Sequence, residues 1–291
     1  MRYDMPLFRP PSEGDNLIIQ ATLGCSYNHC SFCSMYRSKQ YRPRPLAEIF
    51  AEIDEASAVW PDAHRVFLAD GDALVLPTEQ LEAIAGRLAQ ALPRLQRISA
   101  YATPIALLRK SPEDLARLKA KRLSLIYLGI ESGSAEVLRR IAKGASPDGI
   151  AEAIGRARGA GMKISATVIL GVGGRRLAED HATATAALVN RAPPHYLSTL
   201  QLMVRPEAAD DFLGRWDGRF DAQDDVGILS EQRMLLDRLD PVAPVIFRSN
   251  HASNCLPLAG TLPKDRLRLL AEVDRAIAGS RHLRPDWMRG L

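Results

Sequence analysis

Apolar residues recur along this chain in two alternating patterns. Short β-rich runs lie at residues 17–23, 65–70, 97–102, 123–130, 163–170 and 196–204. Several are nearly continuous apolar stretches, as strands covered on both faces require. Between them apolar positions recur at i, i+3, i+4 and i+7, one face of a helix. Leu46, Ile49, Phe50, Ile53 and Ala56 form one such face; Leu81, Ile84, Leu88 and Leu92 form another, with Thr78 as the expected cap. Ser111-Pro112-Glu113-Asp114 predicts a helix start: a capping hydroxyl, proline in the first turn, then acids at the positive end of the dipole. Ser134 and Ser146-Pro147 predict two more starts, closed by Gly144 and Gly161, and a weaker helical pattern covers 177–189.

Strands alternating with helices imply a parallel sheet with right-handed crossovers. Six units are fewer than the eight that close a full barrel. The expected fold is therefore α/β, a partial (β/α)6 TIM-like barrel. Residues 1–15, rich in proline and charge, form an arm; 16–205 form the barrel core; 206–291 form a C-terminal extension that completes the barrel and contacts substrate. Within the extension, 210–227 is expected as an exposed loop, Ser230 as the start of a short helix and 245–247 as a seventh strand. A last amphipathic helix is expected from near Pro263, carrying Leu267, Leu270, Val273 and Ile277.

Composition narrows the function classes. The 291 residues are 46% hydrophobic and 25% charged, an ordinary globular balance. A net charge of +4 is too small for the basic stripe that nucleic acid demands, so no nucleic-acid partner is expected. No apolar run approaches the ~18 residues of a membrane span, and Met1-Arg2-Tyr3-Asp4 does not resemble an export signal. Clustered thiols without export point to the cytoplasm, where disulfides are rare.

The candidate chemistry begins with Cys25, Cys30 and Cys33, three of the four cysteines, directly after the first apolar run. In α/β folds functional groups gather at the carboxyl ends of strands. The later predicted strands end, in turn, in Asp70-Gly71-Asp72, in Tyr101 before Thr103, in Glu131-Ser132-Gly133-Ser134 and in the glycine-rich 171–174. The seventh would lead into Asn250-His251 and Asn254-Cys255. Three thiolates suit a four-iron cluster with one iron left open. They also suit structural zinc if Cys255 supplies its fourth ligand. Asp70 and Asp72 could instead cap the turn before the next helix, Glu131 could cap its own, and 171–174 could be a plain loop. Arg37, Lys39, Arg42 and Arg44 read either as a solvated basic loop or as a docking surface for an acidic electron donor.

The cysteine loop, together with Leu128-Gly129-Ile130-Glu131-Ser132-Gly133-Ser134, Val137-Leu138 and Lys143-Gly144, resembles the radical SAM superfamily. The second cysteine gap and Phe32 match that family. The first gap, Ser26 to His29, holds four residues where three are usual. The fourth-strand segment is similar to that of the subgroup containing oxygen-independent coproporphyrinogen oxidases and Elongator-type enzymes. The resemblance implies that Cys25, Cys30 and Cys33 ligate a catalytic [4Fe–4S] cluster whose fourth iron binds S-adenosylmethionine. Reductive cleavage would yield a 5′-deoxyadenosyl radical that abstracts hydrogen from a small polar substrate. It implies cofactor contacts from Phe32, Asp70, Gly71, Asp72, Glu131, Ser132 and Gly171. Tyr101, Asn250, His251, Asn254 and Cys255 would face substrate, and flavodoxin or ferredoxin would supply electrons. The alternative is a non-catalytic Fe–S and SAM-binding protein, such as an electron carrier or cofactor-insertion chaperone.

Overall fold

The computed structural model describes residues 3–290, so Met1 and Arg2 of the expected arm and Leu291 of the extension lie outside the described residues. Two compact units emerge. The first comprises the chain up to Asn28, Met35–Leu128 and Gly155–Ile164; the second comprises His29–Ser34, Gly129–Ile154 and everything from Ser165 onward.

The first unit opens with β1 (Leu17–Gln20), β2 (Thr22–Leu23) and β3 (Arg42–Pro43), then α1 (Leu46–Val59) and β4 (Arg65–Ala69). It continues through α2 (Thr78–Ala91), β5 (Arg97–Ala102), α3 (Pro104–Leu108) and α4 (Pro112–Ala120) into β6 (Leu123–Glu131). β1, β4, β5 and β6 pair in that order, all parallel, with Leu17 opposite Val66, Arg65 opposite Arg97 and Ser99 opposite Leu125. Ile19, Phe67 and Leu68 from the strands, and Ile49, Ile53, Leu81, Ile84 and Leu88 from α1 and α2, are wholly buried. The run at 17–23 is not one strand. Ala21 bonds through its N–H to Ala69 and through its carbonyl to Arg44, and β2 then pairs antiparallel with β3. The arm packs down, with the Tyr3 hydroxyl on the Ile18 carbonyl and the buried Glu13 accepting from Tyr127 and paired with Arg97. Helix α4 starts as expected, Ser111 and Asp114 forming a reciprocal capping box. Thr78 does not cap α2: Pro77 stands at the cap, and the Thr78 hydroxyl faces Lys110 Nζ.

The second unit carries α5 (Ala135–Arg140), α6 (Pro147–Gly159, which crosses between units), β7 (Lys163–Leu170), α7 (Ala178–Arg191) and β8 (Tyr196–Gln201). Then come α8 (Pro206–Gly214), α9 (Asp225–Arg238), β9 (Val245–Arg248), β10 (Ala259–Leu262) and α10 (Arg266–Ile277). β7, β8 and β9 are parallel neighbours, so the seventh strand exists, and β10 adds an unexpected antiparallel edge. The link from β9 to β10 is too short for the crossover a parallel return needs.

The expectation of an exposed loop at 210–227 holds for 215–224, which lies outside the helices and is mostly exposed, and fails at its ends, which α8 and α9 take. Its Asp, Arg and Gly content reads as loop, yet α8 occupies its start and an aromatic trio gives it a core. Phe212 and Trp216 are buried, and Phe220 lies 4.8 Å and 5.0 Å from them by ring centroid. The helix expected at Ser230 begins five residues earlier, where Asp224 caps Gly227; Ser230 bonds inside α9 to Val226. The last helix follows Pro263 as expected.

Candidate functional site

In the first unit, the segment after β4 holds Cys25 from both sides. Gly24, in the left-handed region at φ 73°, donates its N–H to Asp70 Oδ2 at 2.9 Å. Asp72 accepts from the Ser26 hydroxyl, from Thr103 N at 3.0 Å and from Thr103 Oγ1 at 2.9 Å. Gly71 donates to the Gly24 carbonyl, and a Cβ there would stand 2.9 Å from both the Cys25 Cβ and Tyr36 Cε2. Glycine is required because the cysteine lies against it. Asp70 and Asp72 are wholly buried, and neither caps α2.

Asp70 also pairs with Lys39 at 3.0 Å and accepts from Gln20 at 3.1 Å. Lys39 is thus an internal cation rather than part of a basic surface. Arg44 is likewise internal, bonded to the Gln20 carbonyl and to Glu52. Of the four basic residues expected as a loop or docking face, these two are committed to the scaffold. Tyr101 packs edge-on against Phe67 and Tyr127, with ring centroids at 5.2 and 5.9 Å.

In the second unit, Cys33 N–H bonds to the Cys30 carbonyl, closing a turn with half-buried Phe32 inside it. Ser31 N–H ties that turn to the Ile141 carbonyl at 2.9 Å, just past α5. Glu131 ends β6 in the left-handed region, at φ 61°, and pairs with Lys143 Nζ at 2.9 Å. A Cβ on Gly129 would stand 1.9 Å from Glu131 Oε1 and 2.8 Å from Lys143 Nζ, so this ion pair lies across the glycine. Burial opposes charge on Lys143, but Glu131 beside it, with smaller contributions from Cys30 and Cys33, outweighs it and holds the ammonium well above the usual lysine range.

The rest of this segment is held by α7. Ser132 Oγ accepts from Ser134 N–H at 3.0 Å and meets His181 Nδ1 at 2.8 Å. Gly133 N–H donates to Thr185 Oγ1 at 2.7 Å, and a Cβ there would collide with the Ala184 carbonyl at 2.3 Å. Ser134 caps α5 through Val137 N–H and also bonds Asp180. Beyond β7, Gly171 at φ 81° donates its N–H to Glu231 Oε1 at 2.7 Å. Glu231 is fully buried, which pushes its carboxyl up to about 7 despite the donors Gly171 and Gln223. Burial likewise holds His181 down at about 4. Neither residue stood out in the sequence. The available signal was a titratable side chain on a mostly apolar stripe: His181 among Ala178, Ala182 and Ala186, and Glu231 among Ile228, Leu235 and Leu236.

The segment after β9 divides. Asn254 is buried and spends its amide on scaffold, accepting from Gln201 N–H and donating to the Thr199 carbonyl and Ser249. Cys255 is buried too; burial, then the Asp225 charge, push its thiol up to about 11, a poor state for a zinc ligand. Asn250 is exposed. His251 is half-buried against Ser253, and burial and the Arg284 charge lower its basicity.

All four cysteines are thiols. Among the described residues no three Cys, His, Asp or Glu side chains are grouped closely enough to hold a metal ion. The fit of an iron–sulfur cluster therefore rests on the donor set, three thiols within nine residues.

A model of the radical SAM superfamily matches residues 19–189, more than half of the chain, including the three clustered cysteines, Glu131 and Gly171. The chain belongs to the radical SAM superfamily. Enzymes of this superfamily use a [4Fe–4S] cluster and S-adenosylmethionine. Among solved structures, the coproporphyrinogen III oxidase HemN from Escherichia coli, described as a radical SAM enzyme, is similar at a TM-score of 0.58 and 17% identity. That match covers 77% of this chain and 52% of HemN, so the chain spans about half of that protein's length. Methylornithine synthase (PylB) gives 0.52 at 16% identity over 89% of this chain and 68% of its own. The FeFe-hydrogenase maturase HydG from Carboxydothermus hydrogenoformans gives 0.51 at 19% over 89% and 58%. At these identities the likeness establishes the fold, and the partial-barrel α/β expectation holds. No curated protein matches the chain in sequence. No helix among the described residues is long and apolar enough to cross a membrane.

Proposed function

We propose that this chain is a radical SAM enzyme in which Cys25, Cys30 and Cys33 hold a [4Fe–4S] cluster and S-adenosylmethionine is bound for reductive cleavage, with a small polar molecule as substrate. Flavodoxin or ferredoxin fits as the electron donor. The observation that carries this reading is the superfamily match over residues 19–189, which spans Cys25, Cys30 and Cys33 together with Glu131 and its Lys143 ion pair.

When bound, the cluster supplies one electron to the sulfonium, at a potential the protein sets through charge, hydrogen bonds and burial. The chain's own residues hold and orient. Asp70 and Asp72 fix the backbone on either side of Cys25, so their side chains act through that loop and their backbone is what they offer the cofactor. Glu131 is suited to accept from ribose hydroxyls or the methionyl ammonium. Phe32 shields an apolar edge beside the cluster loop. Ser132 and Gly171 supply the remaining cofactor contacts. Residues 206–291 provide the substrate side, with Asn250 and a neutral His251 available for hydrogen bonds, while Asn254 and Cys255 serve as scaffold; Tyr101 is a further substrate contact of the first unit.

Anaerobic reconstitution tests the reading. About four irons per chain and dithionite-dependent 5′-deoxyadenosine are expected, both lost in Cys25→Ala, Cys30→Ala and Cys33→Ala. A cluster without SAM cleavage would leave a non-catalytic binding protein, and a single zinc would remove the cluster itself.

A further inference from the structure

Three polar side chains of the second unit have no part in that chemistry: the buried His181 on α7 and Glu231 on α9, and the half-buried Gln223 just before α9. They form one chain with two loops read above as cofactor contacts. Gly171 N–H donates to Glu231 Oε1 at 2.7 Å, and Gln223 Nε2 donates to Oε2 at 2.6 Å. His181 Nε2 has no hydrogen-bond partner and stands 3.6 Å from the same Oε1, while Nδ1 meets Ser132 Oγ at 2.8 Å. Ser132 is fully buried and already accepts from Ser134, so its own proton needs an acceptor, and Nδ1 is within reach. A neutral His181 then carries its proton on Nε2, facing Glu231. Every group around this carboxyl is thus a donor.

We infer that Glu231 is a positioning residue for bound S-adenosylmethionine, orienting the Gly171 loop directly and the Ser132 loop through His181. The inference rests on the reading of Gly171 and Ser132 as cofactor contacts. Packing alone does not ask for an acid here. Glu231 occupies a mostly apolar stripe, where an aliphatic side chain would avoid the desolvation of a carboxylate. The loop also lies hard against α9, since a Cβ on Gly171 would come within 2.6 Å of Ile228 Cδ1. The carboxylate therefore sets the direction of a backbone N–H in a loop that only glycine can form.

Protonation has a defined consequence. The ionised carboxylate accepts from Gly171 and Gln223; the protonated acid offers a donor to a ring of donors and loosens both loops. Burial favours the acid, the donors favour the anion, and the balance falls at about 7. The facing groups are His181 from α7, Gly171 from the loop after β7, and Gln223. Asp180 acts on His181 from α7. Among the described residues, Arg238 with Glu179 of α7 and Arg233 with Asp274 of α10 pair on exposed faces, and Asp225 at the start of α9 pairs with Arg289.

The test is the affinity of anaerobically reconstituted protein for S-adenosylmethionine by equilibrium dialysis, from about pH 6 to about pH 8.5, with melting temperatures alongside. Wild-type affinity is expected to fall several-fold toward the acid end. Glu231→Gln should bind about tenfold more weakly at the alkaline end, the scale of one charge-assisted hydrogen bond, and show a flat profile without a drop in melting temperature. His181→Gln, which breaks the link to Ser132 and leaves Glu231 in place, should weaken affinity and keep the pH dependence. Variants that match wild type in affinity and profile overturn the inference while the enzyme reading stands. Wild-type protein that does not bind S-adenosylmethionine removes both. If Glu231→Gln does not fold, the His181→Gln result decides.

Discussion

Asp70 and Glu131 look alike from a distance. Each follows a parallel strand, each is buried, and each pairs with a lysine, Lys39 at 3.0 Å and Lys143 at 2.9 Å. Their surroundings separate them. Asp70 also takes the Gly24 N–H and the Gln20 amide, and its lysine is further held by Asp4. Glu131 has a left-handed backbone and lies over a glycine, with Lys143 as its ion-pair partner. A carboxylate saturated by its own chain is scaffold. One held in a left-handed backbone and paired with a lysine suits the proposed contact with S-adenosylmethionine.

The largest effect should come from the saturated acid. Asp70→Ala leaves Lys39 buried without its main counter-charge and frees the Gly24 N–H, and is expected to cost about 3–5 kcal/mol in denaturant unfolding. A loss under about 1 kcal/mol, the range of an exposed pair, would erase the distinction.

Glu231 sharpens the comparison, because it is a buried acid with no lysine. Its folded value of about 7 lies above the ordinary 4.5. The stability tied to this group is therefore complete below about 4.5 and is lost as pH rises through about 7, roughly 3 kcal/mol in full. Unfolding free energies at about pH 5 and about pH 8 should show wild type losing up to that amount relative to Glu231→Gln. An unchanged difference between the two proteins would mean that the carboxyl is not desolvated as described. His181 has the opposite sign: its contribution is present above about 6.5 and is lost as pH falls through about 4.

The smallest stability effect is expected at Glu131. Glu131→Gln keeps the shape and leaves an amide oxygen to accept from Lys143, so its cost is expected below that of Asp70→Ala, about 2 kcal/mol, yet affinity for S-adenosylmethionine should fall about tenfold. Equal losses of stability at Asp70 and Glu131, with affinity unchanged, would break the comparison.

Much of this was legible in the sequence wherever the local signal and tertiary demand agree. The runs at 97–102 and 163–170 are strands to the residue, and Ser111 to Asp114 forms the capping box it spells. Segment 131–134 was visible as a motif, but its reasons are tertiary: Gly133 is set by the α7 backbone, and Gly129 by an ion pair twelve residues apart. Lys39 and Arg44 read as solvated because local composition cannot show that Asp70 and Glu52 await them across the fold. The aromatic trio in 212–220 was hidden in an Asp- and Arg-rich stretch, and β10 by a weak Ala-Gly-Thr-Leu pattern. His181 and Glu231 were concealed by the opposite effect, polar residues on stripes mostly filled by apolar ones.

The central claim is that three thiolates, from Cys25, Cys30 and Cys33, leave one iron of a four-iron cluster open to S-adenosylmethionine. The electron paramagnetic resonance spectrum of the dithionite-reduced, reconstituted protein tests it most directly. Addition of S-adenosylmethionine is expected to shift the cluster's g-values in wild type. A four-iron signal that stays unchanged at saturating S-adenosylmethionine would contradict the account.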